Sequence, residues 1–170
     1  MTSFLKSHPF AVEAHFESSL VLAFAIPKKQ IENLLPECLT LDLFEEKWAF
    51  IAIAMVQTKA LRPKGFPAFF GNDFFLIGYR VFVRYENTAG RSMRGLYILK
   101  SETDKKKMEL FGNAFTHYNY SKTDIARKAT SNRIEIKSTQ SDFRIVTEKG
   151  GENIPLPKGS PFGDWKQARK

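Results

Sequence analysis

The chain has 170 residues, is 43% hydrophobic with sixteen phenylalanines, and carries a formal net charge of +8. That length supports one domain with a sizeable core, and the apolar content excludes an intrinsically disordered chain. A single cysteine, Cys38, excludes an intramolecular disulfide framework and suits a reducing compartment.

The opening MTSFLKSHPFAVEAHFESS lacks a basic segment followed by a clean apolar run, so no signal peptide is read there. The longest apolar run, Trp48 to Val56, is too short for a membrane-spanning helix. Together these point to a soluble, cytoplasmic protein without a membrane partner. The basic balance is unevenly placed: residues 121–170 hold eleven Lys/Arg against six Asp/Glu, a net +5, leaving +3 for the rest. A solvated basic end explains this, and no zinc finger, helix-turn-helix or aromatic RNA-binding signature accompanies it, which argues against a nucleic-acid partner.

Residues 1–17 show no clear period and read as an arm or short helix. Ser19 to Ile26 is an apolar strand. Pro27 suits the first position of a helix, and Ile31, Leu34 and Leu35 form one stripe on PKKQIENLL that Pro36 ends. Leu39, Leu41 and Leu43 alternate with polar residues as a half-buried strand. After the turn Glu45-Glu46-Lys47 it pairs with Trp48–Val56 as a hairpin. That second strand has large Ile51, Ile53 and Met55 on one face and small Ala52 and Ala54 on the other.

A Pro/Gly-punctuated loop over 58–73 leads to the strand 74–85, apolar on both faces and therefore central. Arg80 stands on one face between Gly78 and Phe82, where a guanidinium needs a partner anion or acceptor. ENTAGRS turns the chain into the strand Met93–Lys100. Thr103–Phe111 reads as a helix capped by Ser101 or Thr103 and stopped by Gly112. NRIEIKS and DFRIVTE form a hairpin around Thr139-Gln140-Ser141, and residues 151–170 are mostly irregular. Strands this numerous with two buried faces predict a mainly β protein, a closed or nearly closed barrel with a few flanking helices. A two-layer α+β sheet is the alternative.

The succession Leu34-Leu35-Pro36, Leu41-Asp42, Arg62-Pro63-x-Gly65-x-Pro67, Phe75 through Arg80 to Val83, and Gly95-x-Tyr97 resembles an uncharacterised branch of the acetoacetate decarboxylase-like superfamily, over roughly Ser19 to Tyr120. The resemblance implies a single domain built as a cone-shaped β-barrel enclosing a pocket for small carboxylic acids. Chains of that superfamily usually continue with further strands, which raises the expectation of a C-terminally incomplete chain. The superfamily's decarboxylase uses a Schiff-base lysine after the helix equivalent to 103–111. Here Gly112-Asn113-Ala114-Phe115-Thr116 offers none, so Schiff-base decarboxylation is rejected. Members of the branch often place a Glu and an Asn ahead of the strand arginine, where this chain has Leu76 and Gly78.

The candidate pocket residues are Arg80, Arg94, Tyr97, His117 and Arg62. Arg80 and Arg94, on neighbouring strands, would clamp a carboxylate. Tyr97 would lend a hydroxyl, and His117 an acid or base. Tyr79 falls on the face opposite Arg80, and Arg62 in RPKGFP equally suits bonds to loop carbonyls. No nucleophile elbow, P-loop, dinucleotide fingerprint or metal-ligand spacing is present, and no cofactor or metal is expected. The functional reading is a barrel protein binding a small apolar or carboxylate-bearing molecule. The alternatives are an enzyme of unknown reaction in the same pocket and an interaction module using the basic tail, with self-association left open.

Overall fold

The computed structural model describes residues 10–151 and 154–169. Nine strands, β1 (Val12–Pro27), β2 (Thr40–Leu41), β3 (Trp48–Pro63), β4 (Asn72–Glu86), β5 (Ser92–Thr103), β6 (Tyr120–Lys122), β7 (Ala126–Ala129), β8 (Arg133–Ser138) and β9 (Phe143–Glu148), are joined by two α-helices, α1 (Lys106–Phe115) and α2 (Trp165–Ala168). None of these helices is long and apolar enough to cross a membrane.

The large sheet runs β1-β3-β4-β5-β6, with β2 paired to β4 beyond the end of β3. All its pairings are antiparallel except β5 with β6. Long strands follow from runs of β-branched and aromatic residues broken only at ENTAGRS and the Pro/Gly loop. As expected, the runs 48–56, 74–85 and 93–100 lie side by side in one antiparallel sheet with β4 in its centre.

The sheet does not close into a barrel. β6 has only three residues and leads into a second, antiparallel sheet β7-β8-β9, so β1 and β6 remain opposite edges. This corrects the closed-barrel expectation: the result is layered. One face of the large sheet is covered at one end by the second sheet, through Ile134, Ile136, Phe143 and Ile145 on Met55, Phe75 and Ile77. At the other end Ile31, Leu35, Leu39, Leu41 and Leu43 pack with Ala49, Val81 and Val83. The opposite face is covered at one end by Met108 of α1 and by Tyr118 and Tyr120, packed with Phe74 and Leu76.

Several local expectations are corrected. From Val12 the supposed arm is already strand, paired to β3 from Val12↔Pro63 onward, while residues 1–9 lie outside the described residues. The 27–35 helix is two 3₁₀ turns, Lys28–Gln30 and Glu32–Leu34, separated where Ile31 (φ −129°) leaves helical geometry to bury its side chain. Residues 39–43 cannot pair with β3, whose two edges are taken by β1 and β4, so Thr40 and Leu41 pair instead with Arg84 and Val83. Only the bridge Phe44↔Trp48 survives of that hairpin, closed by Glu45 and Glu46, both at φ 51°.

The 58–73 loop is shorter than expected, because β3 continues to Pro63 through a register shift between Thr58 and Leu61. Ala60 there sits at φ 52°, and its N–H donates to Asp73 Oδ1 at 2.8 Å while Lys59 pairs with Asp73 Oδ2 at 3.1 Å. A Cβ on Gly71 would stand 2.5 Å from Ala60 Cα, so backbone touches backbone and the loop is cinched at its neck. Beyond that neck Phe66, Phe69 and Phe70 are exposed, with Phe70 edge-on to Phe66 and tilted against Phe69.

Candidate functional site

The site is built on the face of β4 that bears Arg80. Register places Val21, Ala54, Gly78, Ser101 and Tyr120 in one row across five strands, and Ala23, Ala52, Arg80 and Ile98 in the next. Ala52, Ala54, Gly78 and Ser101 are buried and small, so side chains rise little above the backbone along this strip of the sheet, the Arg80 trough. Arg80 folds back along it: a Cβ on Gly78 would lie 3.4 Å from both Nε and Nη2 of Arg80. The absent side chain at Gly78 is what lets the guanidinium lie against the backbone.

Arg80 is partly buried, and its guanidinium makes no hydrogen bond or ion pair among the described residues. Its charge is felt by the Tyr120 phenol, whose pKa burial pushes up, Tyr118 pushes further up, and Arg80 pulls back down. Tyr120 is held firmly. Asn113 of α1 accepts its N–H at 2.7 Å and donates to its carbonyl at 2.8 Å. Its ring lies so close to α1 that a Cβ on Gly112 would come within 2.6 Å of Cε2. Gly112 is therefore an internal residue of the helix, not its expected stop, and the helix runs on to Phe115. On the other side of Arg80 an aromatic wall is formed by Phe82, set edge-on to Phe50 at 6.4 Å, and Phe162, stacked on Phe50 at 5.6 Å.

The other expected pocket residues are not gathered here. Arg94 lies opposite Arg84, four residues along β4 from Arg80, or about 13 Å at strand rise. Both Arg84 (2.6 Å) and Arg94 (2.9 Å) grip the carboxylate of Asp42, so Asp42 is not the partner of Arg80 and the Arg80–Arg94 clamp does not form. Tyr97 opposes Val81 and packs among Ile31, Val81 and Val83 on the reverse face. His117 is exposed in the connection between α1 and β6. Arg62 bonds Phe66 O at 2.8 Å, Ala60 O at 3.0 Å and Glu13 at 3.0 Å, which gives it the loop-anchoring role.

The reverse face holds a separate polar group, with Tyr79 on the side expected from alternation. Glu102, only 3% exposed, accepts from Tyr79 Oη at 3.1 Å and pairs with Lys100 at 2.8 Å. Lys100 lies over the Tyr79 ring at 4.5 Å, and Phe143 of the second sheet meets that ring edge-on. Burial, then the Glu102 charge, raises the Tyr79 phenol pKa. Every member is paired, so this cluster ties the two sheets together.

An open cleft of about 380 Å³ lies elsewhere, lined by Asn72, Asp73, Phe74, Met108 and the lysines 105–107. Phe74 is six residues from Arg80, about 20 Å along the strand, so this cleft is not the Arg80 trough. No group of three or more His, Cys, Asp or Glu among the described residues is placed to hold a metal ion. Tyr120 and Ser101 were not among the expected pocket residues. Tyr120 reaches the site through β6, which pairs in parallel after a helical crossover and leaves no periodic signal in the sequence. Ser101, read as a helix cap, is instead the β5 residue it pairs with.

Comparisons with known proteins bear on this arrangement. No curated protein matches the sequence. The fold is similar to that of the crystal structure of acetoacetate decarboxylase from Legionella pneumophila, with a TM-score of 0.60 at 14% identity. The match covers 89% of this chain and 54% of the decarboxylase chain, so this chain spans about half the length of that structure. The likeness is one of fold. Residues 13–169 match the family described as an uncharacterized conserved protein, DUF2071. The chain belongs to the DUF2071 family of uncharacterized conserved proteins and carries the acetoacetate decarboxylase-like fold.

Proposed function

We propose that the Arg80 trough binds a small molecule with a carboxylate and an apolar body. The observation that carries this reading is a half-buried guanidinium with no acceptor among the described residues, laid over a floor of Ala52, Ala54 and Gly78. An arginine stripped of part of its water and given no anion is costly to hold. A carboxylate supplies the missing partner bidentately. The Phe50–Phe82–Phe162 wall offers apolar contact to the rest of the ligand, and the Tyr120 phenol, kept protonated by burial, offers a hydrogen-bond donor. The structural neighbour is named for acetoacetate, itself a small carboxylate, which fits the same class. Beside the Tyr120 phenol, no carboxylate or histidine bonds or pairs with Arg80 among the described residues, which supports binding over catalysis.

The test is a thermal-shift screen of small mono- and dicarboxylates against the chain and against Arg80→Met. A ligand at one hundred times its dissociation constant stabilises the folded state by about 2.7 kcal/mol, a shift well within reach of the assay. Arg80→Met folds with stability equal to or above the parent, because an apolar side chain replaces an uncompensated charge, and it loses the carboxylate-dependent shift. If Arg80→Met unfolds, or keeps that shift, Arg80 is structural and the site lies elsewhere.

A further inference from the structure

The outer edge of β1 is a second unexplained surface. β1 has 16 residues and pairs on one side only, with β3. In an antiparallel ladder alternate residues turn their N–H and C=O groups to the two sides, so about half of this long strand's backbone groups point outward to no strand among the described residues. Edges of this kind are normally blunted by charge, proline, bulges or shortness. The N-terminal part of β1 is blunted: Glu13, His15 and Glu17 lie there, with register shifts at Glu13/His15 and Phe16/Ser18. Ser18–Pro27 is not. It pairs regularly with β3, contains no charged residue, and exposes Val21 (56%) and Phe24 (46%) on opposite faces.

The other strand edges are short, charged or irregular. β5 is open over Ser92–Lys100, beyond the reach of β6, but carries Arg94 and Lys100 and a register shift against β4. β6 has three residues, with Lys122 tied to Glu109 of α1. β7 carries Arg127 and Lys128, and β9 carries Arg144 and Glu148. An open hydrogen-bonding ladder takes a strand, and the exposed strand best suited is β1 itself in another copy of the chain.

We infer that two copies associate through antiparallel pairing of their β1 strands about a two-fold axis at Leu22, joining the two large sheets into one. This register opposes Ser18 with Ile26, Leu20 with Phe24 and Val21 with Ala23 of the copy, each pair on one face of the joined sheet. Each Glu17 falls opposite Pro27, past the paired run, so no like charges are opposed. The contact is isologous and closes on itself, which consumes both open edges and stops growth at two.

The register is tested by charge. Val21→Lys/Ala23→Lys sets two pairs of like charges directly opposite each other across the axis, whereas Val21→Glu/Ala23→Lys sets two pairs of opposite charges there. Both positions are exposed in the single chain, so both variants fold, as circular dichroism checks. Sedimentation velocity over a concentration series is expected to show a dimer for the parent and for the Glu/Lys variant. The Lys/Lys variant is expected to dissociate with a constant about tenfold or more higher. A parent that stays monomeric at every concentration, a Lys/Lys variant that dimerises as tightly as the parent, or a Glu/Lys variant that fails to dimerise overturns the inference.

Discussion

Replacing Gly112 by alanine sets two effects of opposite sign against each other. Gly112 lies inside α1, where alanine is the better helix former by about 1 kcal/mol. The added methyl, however, would stand 2.6 Å from Tyr120 Cε2 and 3.0 Å from Met108 Cε. Met108 is flexible and gives way. Tyr120 is not free to retreat, since Asn113 holds both its N–H and its carbonyl. Overpacking of this kind costs about 1–3 kcal/mol, so against a helical gain of about 1 kcal/mol the net destabilisation is up to about 2 kcal/mol. Urea or thermal unfolding then shows a lower midpoint, about 2–4 °C for each kcal/mol in a chain of this length. The decisive measurement is the same substitution made in a Tyr120→Ala background. With the ring gone only the helical gain is left, and Gly112→Ala becomes stabilising by about 1 kcal/mol. A Gly112→Ala that stabilises the parent chain, or that costs the same in both backgrounds, refutes the reasoning.

Two further outcomes are expected. Asp124 accepts from Ser138 Oγ at 2.6 Å, the Gln140 N–H at 3.0 Å and the Thr139 N–H at 3.1 Å, bonds that draw its pKa from the ordinary 3.8 down to about 2. A depressed folded-state value means its contribution is complete above pH 4 and is lost as pH falls from about 4 to about 2. An acid-unfolding titration of Asp124→Asn should lose that portion of the pH dependence; an unchanged acid limb contradicts the assignment. Thr123 buries its hydroxyl without a hydrogen-bond partner among the described residues. Thr123→Val therefore removes a desolvated polar group at nearly constant volume and raises stability by about 1 kcal/mol in urea denaturation, where a loss of similar size shows that the hydroxyl is satisfied.

What was legible in the sequence was whatever repeats locally. The two apolar faces of 74–85 identified the central strand, the ENTAGRS turn identified its partner, and the lack of an acid between Asp73 and Glu86 matches an Arg80 left without an ion pair. Contacts made across the fold were not legible. Asp42 reaches Arg84 and Arg94 because the flanks of β3 are already occupied, a fact of topology rather than composition. The first turns of β1 were hidden because two bulges break the alternation on which a strand is recognised. Gly112 misled for a related reason: a glycine marks a helix end or a close approach, and only the position of Tyr120 tells which. Closure of the barrel failed at β6, whose three residues carry too little pattern to reveal that the chain would leave the sheet there.

The neck at Ala60 and Gly71 has a consequence for how this surface is able to change. Since the two backbones meet there and Asp73 ties β4 to Lys59 and Ala60 of β3, only residues 64–70, beyond the last paired residue Pro63, leave the sheet as a short handle. Forces or sequence changes within the handle end at the neck and do not reach the register of β3 with β4. The three exposed phenylalanines at its tip are therefore free to be exchanged, and the handle lengthened or shortened, without cost to the trough around Arg80. Gly71 itself has no such freedom: any side chain there meets the Ala60 backbone and prises the neck open.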